Sequence, residues 1–172
     1  MTVDVMAMRR SPLGAARLAV SGPDLELYDV PFRTLIDVRG GAGAAVADAH
    51  VWQLGPDWWL VDAEPDSAPA LEAALVAELR SVVGAGCSVV DVSSHRTVFV
   101  LSGSDALMVL SYGCSIDLES VAVGGCVQGA LAQTQVAIGR VAQDEWRVYP
   151  RASFARHLAA WLTDAAVEHA HP

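Results

Sequence analysis

The chain has 172 residues, 53% hydrophobic and 18% charged, a composition that excludes a largely disordered protein and predicts one well-packed domain. Eleven basic and twenty acidic residues give a net charge of −9, and no basic cluster extends beyond Arg9-Arg10, which argues against nucleic-acid binding. The high hydrophobic share reflects either the abundant alanine and valine or an apolar interface with another subunit.

The longest charge-free stretch, residues 120–139, holds four glycines and three glutamines, so it predicts a pair of buried strands rather than a membrane span. Residues 1–10 lack the pattern of a signal peptide, and we therefore expect a cytoplasmic protein that is not bound to a membrane. The three cysteines, Cys87, Cys114 and Cys126, form no C-x-x-C pair and predict buried free thiols.

Three segments are expected along the chain. Residues 1–23 carry turn formers and small apolar residues, which predicts an N-terminal arm that lies on a surface. Residues 24–168 form the single α+β domain, and residues 169–172 form a frayed tail. The glycine-rich loop 40–43 lacks the residues of a phosphate-binding motif and predicts a structural turn.

The first half of the domain predicts strands at 25–30 and 34–38, followed by a hairpin of strands 49–54 and 58–62. Trp58 and Trp59 are adjacent in that hairpin and must point to opposite faces of the strand. One indole can enter the core, while the other needs cover. We therefore hypothesise that Trp58 or Trp59, with the N-terminal arm, anchors the chain to a larger subunit.

A helix is predicted from Ser67 to Gly84, with an apolar stripe that is formed by Leu71, Leu75, Leu79 and Val82. The stretch 90–106 then predicts a strand, a polar corner, a second strand, a turn and a helix that ends at Gly113. Ser102 or Ser104 is expected to cap that helix, with Asp105 in its first turn.

The last part predicts strands at about 130–141 and 145–149, and a final helix with five apolar residues on one face: Phe154, Leu158, Trp161, Leu162 and Ala165. From Trp58 onward the order of elements is βαββαβ followed by βα. This order predicts an α+β fold with a ferredoxin-like core, extra strands and a C-terminal helix, in which two helices cover one face of a mainly antiparallel sheet.

The search for chemistry centres on the polar corner. His95 lies beside Asp91, Ser93 and Ser94, but neighbours in one strand point to alternate faces and do not readily form a Ser-His-Asp triad. Local hydrogen bonding at a strand corner is the favoured interpretation. Nothing in the sequence brings Asp91 and Asp117 together as a carboxylate pair.

The remaining histidines also lack a predicted function. His50 and His157 have no partner at a metal-ligand spacing, and His169 and His171 lie in the tail. We therefore expect no catalytic, cofactor-binding or metal-binding residue in this chain.

Short motifs follow one another along the chain in a set order. The central motif residues are Asp91, Ser93, Arg96, Leu101-Ser102-Gly103, Ala106, Gly113-Cys114, and Ile116-Asp117-Leu118. Further motifs include Arg10-Ser11-Pro12-Leu13, Leu54-Gly55-Pro56-Asp57, Ala132-Gln133-Thr134, and residues 151–162. This ordered set resembles the gamma subunit of heterotetrameric sarcosine oxidase and, more distantly, the aminomethyltransferase (glycine-cleavage T-protein) fold.

The resemblance implies a truncated aminomethyltransferase-like module that serves as a small subunit of a four-subunit flavoenzyme, which oxidatively demethylates sarcosine to glycine. Alpha, beta and delta subunits are the implied partners. The resemblance implies that FAD, FMN, NAD, tetrahydrofolate and zinc are bound by those partners. It also implies that the one-carbon unit is passed to tetrahydrofolate on the large subunit. It implies no cofactor and no catalytic group in this chain.

One departure concerns Gln133-Thr134, where the family commonly has Arg-Thr, and several usual arginines are also missing. Other secondary amino acids therefore stay open as substrates of the complex. An alternative is a stand-alone folate-binding or one-carbon-transfer module, in which Asp91 or Asp117 would hold the pterin. A small hydrolase that uses His95 ranks below both.

Overall fold

The computed structural model describes residues 8–40 and 46–170. Three α-helices occur in this part of the chain: α1 (Ala68–Val83), α2 (Ala106–Ser111) and α3 (Ala155–Ala165). The strands are β1 (Ala19–Ser21), β2 (Glu26–Val30), β3 (Thr34–Arg39), β4 (His50–Gly55), β5 (Trp58–Ala63), β6 (Ser88–Asp91), β7 (Val98–Ser102), β8 (Cys126–Leu131), β9 (Thr134–Ala142) and β10 (Glu145–Pro150).

The strands form two sheets in which neighbours run antiparallel. The larger sheet has the order β1-β2-β7-β10-β9-β8, and the smaller has the order β4-β5-β3-β6. Strand β7 lies inside the larger sheet and pairs with β2 on one side and β10 on the other. Residues 98–101 are all buried, as expected of a strand with both faces covered.

Three hydrophobic cores show that the molecule has four layers. Helices α2 and α3 pack on one face of the six-stranded sheet, where Phe99 and Leu101 meet Leu110 and Leu158. The four-stranded sheet packs on the opposite face, through a smaller core that includes Leu35, Trp52, Leu60, Val98 and Tyr149. Helix α1 covers the outer face of the four-stranded sheet, through Leu75 and Leu79.

The α+β class, the antiparallel strands and the C-terminal helix agree with the sequence prediction, but the ferredoxin-like single sheet does not. Strand β6 pairs with β3 in the smaller sheet, whereas β7 pairs with β2 and β10 in the larger one. The polar corner between β6 and β7 therefore carries the chain from one sheet to the other. Alternation predicts strands but does not tell which sheet a strand joins.

The helix predictions are confirmed with local differences. Helix α1 buries Leu75 and Leu79 as predicted, but Val82 is 72% exposed and does not belong to the apolar stripe. Asp105 caps α2 without a side-chain cap bond, and Ser104 instead donates to Asp24. Helix α3 buries Leu158 and Leu162, with Trp161 and Ala165 partly buried beside them and Phe154 exposed at its start.

The prediction of one strand over 130–141 is wrong, because a two-residue turn at Ala132-Gln133 separates β8 from β9. Both turn residues have positive φ, 49° for Ala132 and 63° for Gln133, as a type I′ hairpin requires. Glycine and asparagine favour such turns, and neither is present, so no local residue pattern predicts a turn here. Contacts hold the turn instead: the Ala132 N–H donates to the carbonyl of Gly113.

Part of the predicted N-terminal arm packs into the core. Leu13 and Leu18 are buried in the cluster beneath α2 and α3, and β1 pairs with β2. At the other end, His169 lies in a 3₁₀ turn, and its Nδ1 is 2.6 Å from the Asp105 carboxylate. Residues 1–7 of the predicted arm, most of the glycine-rich loop and the last two tail residues lie outside the described residues.

None of the helices within residues 8–40 and 46–170 is long and apolar enough to cross a membrane.

Replacing Gly103 with alanine should strongly destabilise the fold. Gly103 has a φ of 112°, and a Cβ there would lie 2.2 Å from the carbonyl oxygen of Asp24. Steric overlap and left-handed strain together predict a loss of at least about 2 kcal/mol in the free energy of unfolding, measured by urea denaturation. Gly86→Ala is the control, since a Cβ there meets nothing within 4 Å. Equal midpoints for the two variants would contradict this account.

Replacing Gln133 with glycine should stabilise the protein. Gln133 is an exposed residue at a φ of 63°, a conformation that glycine adopts without a Cβ penalty. We expect a gain of roughly 0.5–1 kcal/mol in the free energy of unfolding. The matched control is Gln135→Gly, an exposed strand position without positive φ, where glycine should destabilise. A lower unfolding midpoint for Gln133→Gly would show that the turn carries no strain.

Candidate functional site

The polar corner that the sequence singled out is held together by local hydrogen bonds. The carboxylate of Asp91 accepts the Ser93 N–H at 2.9 Å and also accepts the Ser93 hydroxyl. The same hydroxyl oxygen accepts the N–H of Leu35 at 2.9 Å. Ser93 is therefore occupied in joining the corner to β3, which confirms the expectation of local hydrogen bonding.

His95 does not complete a catalytic triad. Its side chain is exposed, and within the described ranges no hydrogen bond joins its ring to Asp91, Ser93 or Ser94. Its backbone is structural, because the N–H donates to Val92 and the carbonyl accepts from Ala152. Asp117 is exposed in the segment that follows α2, whereas Asp91 ends a strand of the smaller sheet.

The tryptophan pair is covered by the chain itself. Trp58 donates its indole N–H to Asp37 at 2.8 Å, and the Arg39 guanidinium lies 3.9 Å from the centre of its ring. Trp59 packs on the opposite side, against the core under α1. Both side chains are half-buried, so the exposed indole on which the anchor hypothesis depends is not present.

Within residues 8–40 and 46–170, the cysteines and histidines do not form a metal site. The three cysteines are free, and burial raises the pKa of the Cys126 thiol to about 12, which keeps it protonated at neutral pH. Cys114 is buried as predicted, whereas Cys87 and Cys126 are half-buried. Among the described residues, no group of three or more His, Cys, Asp or Glu side chains is placed to hold a metal ion.

The structure instead reveals a buried polar cluster that the sequence analysis missed, here called the Asp62 network. Its centre is the Asp62 carboxylate, which has no solvent exposure. Oδ1 accepts from Nε of Arg33 at 2.7 Å, and Oδ2 accepts from Arg147 and from the Tyr149 hydroxyl, each at 2.7 Å. The Tyr149 oxygen in turn accepts the Trp52 indole N–H at 2.6 Å.

The Asp62 network joins the two sheets. Trp52 and Asp62 belong to β4 and β5 of the smaller sheet, whereas Arg147 and Tyr149 belong to β10 of the larger sheet. The inward-facing positions of facing strands therefore supply both halves of the network. The sequence signal that could have predicted the network is Asp62 itself, a carboxylate inside the apolar run of β5. Because an unpaired charge is costly to bury, such a residue indicates buried partners.

The surroundings raise the pKa of Tyr149 and lower the pKa of the neighbouring His50. Burial raises the pKa of Tyr149 well above 10, and the charge of Asp62 raises it further, so the hydroxyl remains a hydrogen-bond donor. His50 stacks on Trp52, with ring centres 5.4 Å apart. Burial and then the charge of Arg147 lower the pKa of His50, which favours the neutral ring at pH 7.

The chemistry open to this network is limited by its enclosure. A substrate would have to separate the two sheets to reach the Asp62 carboxylate, and Tyr149 is too weak an acid to act as a proton donor near neutral pH. The arrangement is suited to holding the sheets in register.

The fold of this chain is similar to that of an aminomethyltransferase. The chain is similar over 95% of its length to the glycine cleavage system aminomethyltransferase T from Bartonella henselae, with a TM-score of 0.65. At 17% identity this similarity shows the fold alone. The chain spans about half of that protein, 51% of its length.

Within that class the family follows from sequence. The model of the sarcosine oxidase gamma subunit family matches residues 37–168, and the chain belongs to that family. A sarcosine oxidase gamma subunit of Corynebacterium sp. (strain U-96) is 37% identical over 198 aligned positions, which cover 96% of this chain and 94% of that protein. One from Arthrobacter sp. is 40% identical over 133 residues, 76% of this chain but only 63% of that relative.

A solved structure extends the match. A chain in the heterotetrameric sarcosine oxidase of Corynebacterium sp. U-96, in complex with pyrrole 2-carboxylate, is similar with a TM-score of 0.79 at 31% identity. The match covers 95% of this chain and 97% of that one. The resemblance that the sequence motifs indicated is thereby confirmed.

Replacing Tyr149 with phenylalanine should weaken the junction between the sheets. Trp52 would lose its acceptor and Asp62 one of its three side-chain donors, and leaving a buried indole N–H without a partner costs about 1–3 kcal/mol. The free energy of unfolding, measured by urea denaturation near neutral pH, should fall by that amount. Tyr28→Phe, on an exposed side chain, is the matched control and should be neutral.

The original protein and Tyr149→Phe, compared at different pH values, test the raised pKa of Tyr149. The pKa of Tyr149 is raised in the folded state, so its contribution is complete below the unfolded value of about 10 and decreases as pH rises beyond it. The stability difference between the original protein and Tyr149→Phe should therefore shrink above about pH 10. A difference that stays constant or grows with pH would contradict the assigned protonation state.

Proposed function

We propose that this chain is the gamma subunit of a heterotetrameric, sarcosine oxidase-type flavoenzyme and that its role is assembly rather than chemistry. The observation that carries the proposal is the near full-length similarity to a chain of the heterotetrameric Corynebacterium enzyme. In this proposal residues 24–168 are the gamma-subunit domain, residues 1–23 are its N-terminal arm, and residues 169–172 are its tail.

The proposed partners are the alpha, beta and delta subunits of the same enzyme. They would hold FAD, FMN, NAD and zinc, and the large subunit would pass the one-carbon unit of sarcosine to tetrahydrofolate. The complex would oxidatively demethylate sarcosine to glycine. We further propose that the complex works in the cytoplasm.

The non-catalytic role is supported by how the polar residues of this chain are used. Asp62 and Tyr149 are enclosed between the sheets, Ser93 bonds to both Asp91 and Leu35, and Cys126 is held as a thiol. Asp62, Tyr149 and Ser93 are thus engaged in hydrogen bonds that join elements of the fold, and Cys126 lacks the thiolate that a nucleophile requires. The chain would therefore contribute surfaces to the complex and leave catalysis to the other subunits.

The departure at Gln133 is compatible with this role. The residue lies at the exposed β8–β9 turn, away from the Asp62 network. A change at a surface turn alters what the turn can contact and leaves the buried contacts of the fold in place.

Purification of the tagged chain from its own cells tests the proposal. We expect it to elute with larger subunits, at a mass far above the 18.1 kDa of the single chain, and with the absorbance bands of bound flavin. The free tag is the control for unspecific capture. Recovery of a lone, colourless chain would contradict the assignment.

A lone chain would then be examined for folate binding. Saturable quenching of its tryptophan fluorescence by tetrahydrofolate would favour a stand-alone one-carbon module of the aminomethyltransferase type. Lack of quenching is what an assembly subunit predicts, because the folate site of the proposed complex lies on another chain.

A further inference from the structure

An arginine-rich groove crosses the surface where three separate segments meet. The N-terminal segment contributes Arg9, Arg10 and Arg17, the turn between β2 and β3 contributes Phe32, and the corner between β6 and β7 contributes Arg96. Two clefts adjoin here and share Arg9, Arg10 and Phe32 among their walls. The five residues Arg9, Arg10, Arg17, Phe32 and Arg96 define what we call the arginine groove.

The charge of the arginine groove is opposite to that of the whole chain. Among the residues that the structure describes, no aspartate or glutamate lines either cleft, although the chain carries twenty acidic residues and a net charge of −9. Arg9 contacts Asp66, and Arg17 lies 3.5 Å from Asp29, so those two cations are partly neutralised. The remaining positive charge makes the groove attractive to carboxylates.

The Arg96 side chain shows that positive charge is concentrated here. Its guanidinium donates to the backbone carbonyl of Tyr149 at 2.8 Å, which fixes its position at the floor of the groove. Burial and then the nearby charge of Arg151 lower the pKa of Arg96. A carboxylate in the groove would relieve this repulsion between like charges and could accept from the rest of the guanidinium fork.

Phe32 adds an aromatic surface to the same groove. Its ring is 38% exposed and lies under the Arg9 guanidinium, 5.6 Å from ring centre to Cζ. Its φ of 66° is unusual for a bulky side chain and costs conformational energy. The Pro31-Phe32 turn between β2 and β3 holds this ring at the surface of the groove.

We propose that the arginine groove binds an extended acidic segment of a partner subunit, whose carboxylates pair with Arg10 and Arg96 while an adjacent side chain packs on Phe32. This inference rests on the proposed function, which supplies the partner. Arginine together with an exposed aromatic ring is the composition of energetically important interface residues. The two adjoining clefts carry several separate arginines, which suits a stretch of chain with more than one carboxylate better than a single small anion.

The test measures assembly of this chain with the remaining subunits of its own complex. Arg10→Glu should raise the apparent dissociation constant by at least about tenfold, because it turns an attraction into a repulsion. Arg80→Glu is the matched control, since it makes the same charge change at an exposed position of α1 in the outermost layer, and it should stay within about twofold of the original protein. The original protein should also lose affinity with added salt, and Arg10→Glu should lose less.

Phe32→Gly separates binding from folding. Glycine relieves the positive φ, so the unfolding midpoint should not fall in proportion to the lost ring, while assembly should weaken by about tenfold. If both Arg10→Glu and Phe32→Gly assemble as tightly as the original protein, the groove proposal is wrong and the subunit assignment still stands. If the original chain recovers no partner, both proposals fail.

A photo-crosslinker in place of Phe32 identifies the occupant directly. The complex would be irradiated, digested and analysed by mass spectrometry. A cross-linked peptide of another subunit that is rich in aspartate and glutamate would support the proposal. A neutral or basic peptide, a second copy of this chain, or the chain's own N-terminal residues would overturn it.

Discussion

The structure depends on one buried carboxylate that two sheets share. Asp62 lies on the smaller sheet, and Arg147 and Tyr149 approach it from the larger one. Removing such a charge from water is costly, and its partners return that energy only when each oxygen is well paired, as it is here. A slip of β5 or β10 by one residue within its own sheet would turn these side chains to the other face and leave charges unpaired. The network therefore favours one alignment of the sheets over alternatives that an apolar contact alone would tolerate.

The division between interior and surface agrees with the non-catalytic role that we propose. Asp91 and Ser93 are committed to the polar corner, and His95 is exposed without a hydrogen bond from its ring to either of them within the described ranges. The corner that Asp91 and Ser93 stabilise also carries Arg96 to the surface, next to the N-terminal arginines. If the groove docks a partner as we propose, folding and docking are linked at this corner, because the hydrogen bonds that turn the chain from one sheet to the other also place Arg96 in the wall of the groove.

Much of the local structure could be predicted from the sequence, because strand alternation, the hairpin at Pro56-Asp57 and the stripe of Leu75 and Leu79 are local signals. The pairing of β6 and β7 with different sheets could not, since it depends on contacts between distant segments. The Ala132-Gln133 turn was missed because tertiary contacts, not turn residues, hold its left-handed backbone. Asp62 was visible as a charge in an apolar run, but its partners come from strands far away in sequence. The arginine groove was not predicted, because Arg96 is far in sequence from Arg9, Arg10 and Arg17 and lies near them only in the folded chain.

Native mass spectrometry of the intact complex tests the central claim most directly. We expect an assembly of four chains that contains a single copy of the 18.1 kDa chain. On gas-phase dissociation this chain should be released at the mass of the bare polypeptide, while the flavin stays with the other chains. Release of this chain with the added mass of a flavin or a folate would contradict the assembly role, as would a complex that keeps its composition when this chain is absent.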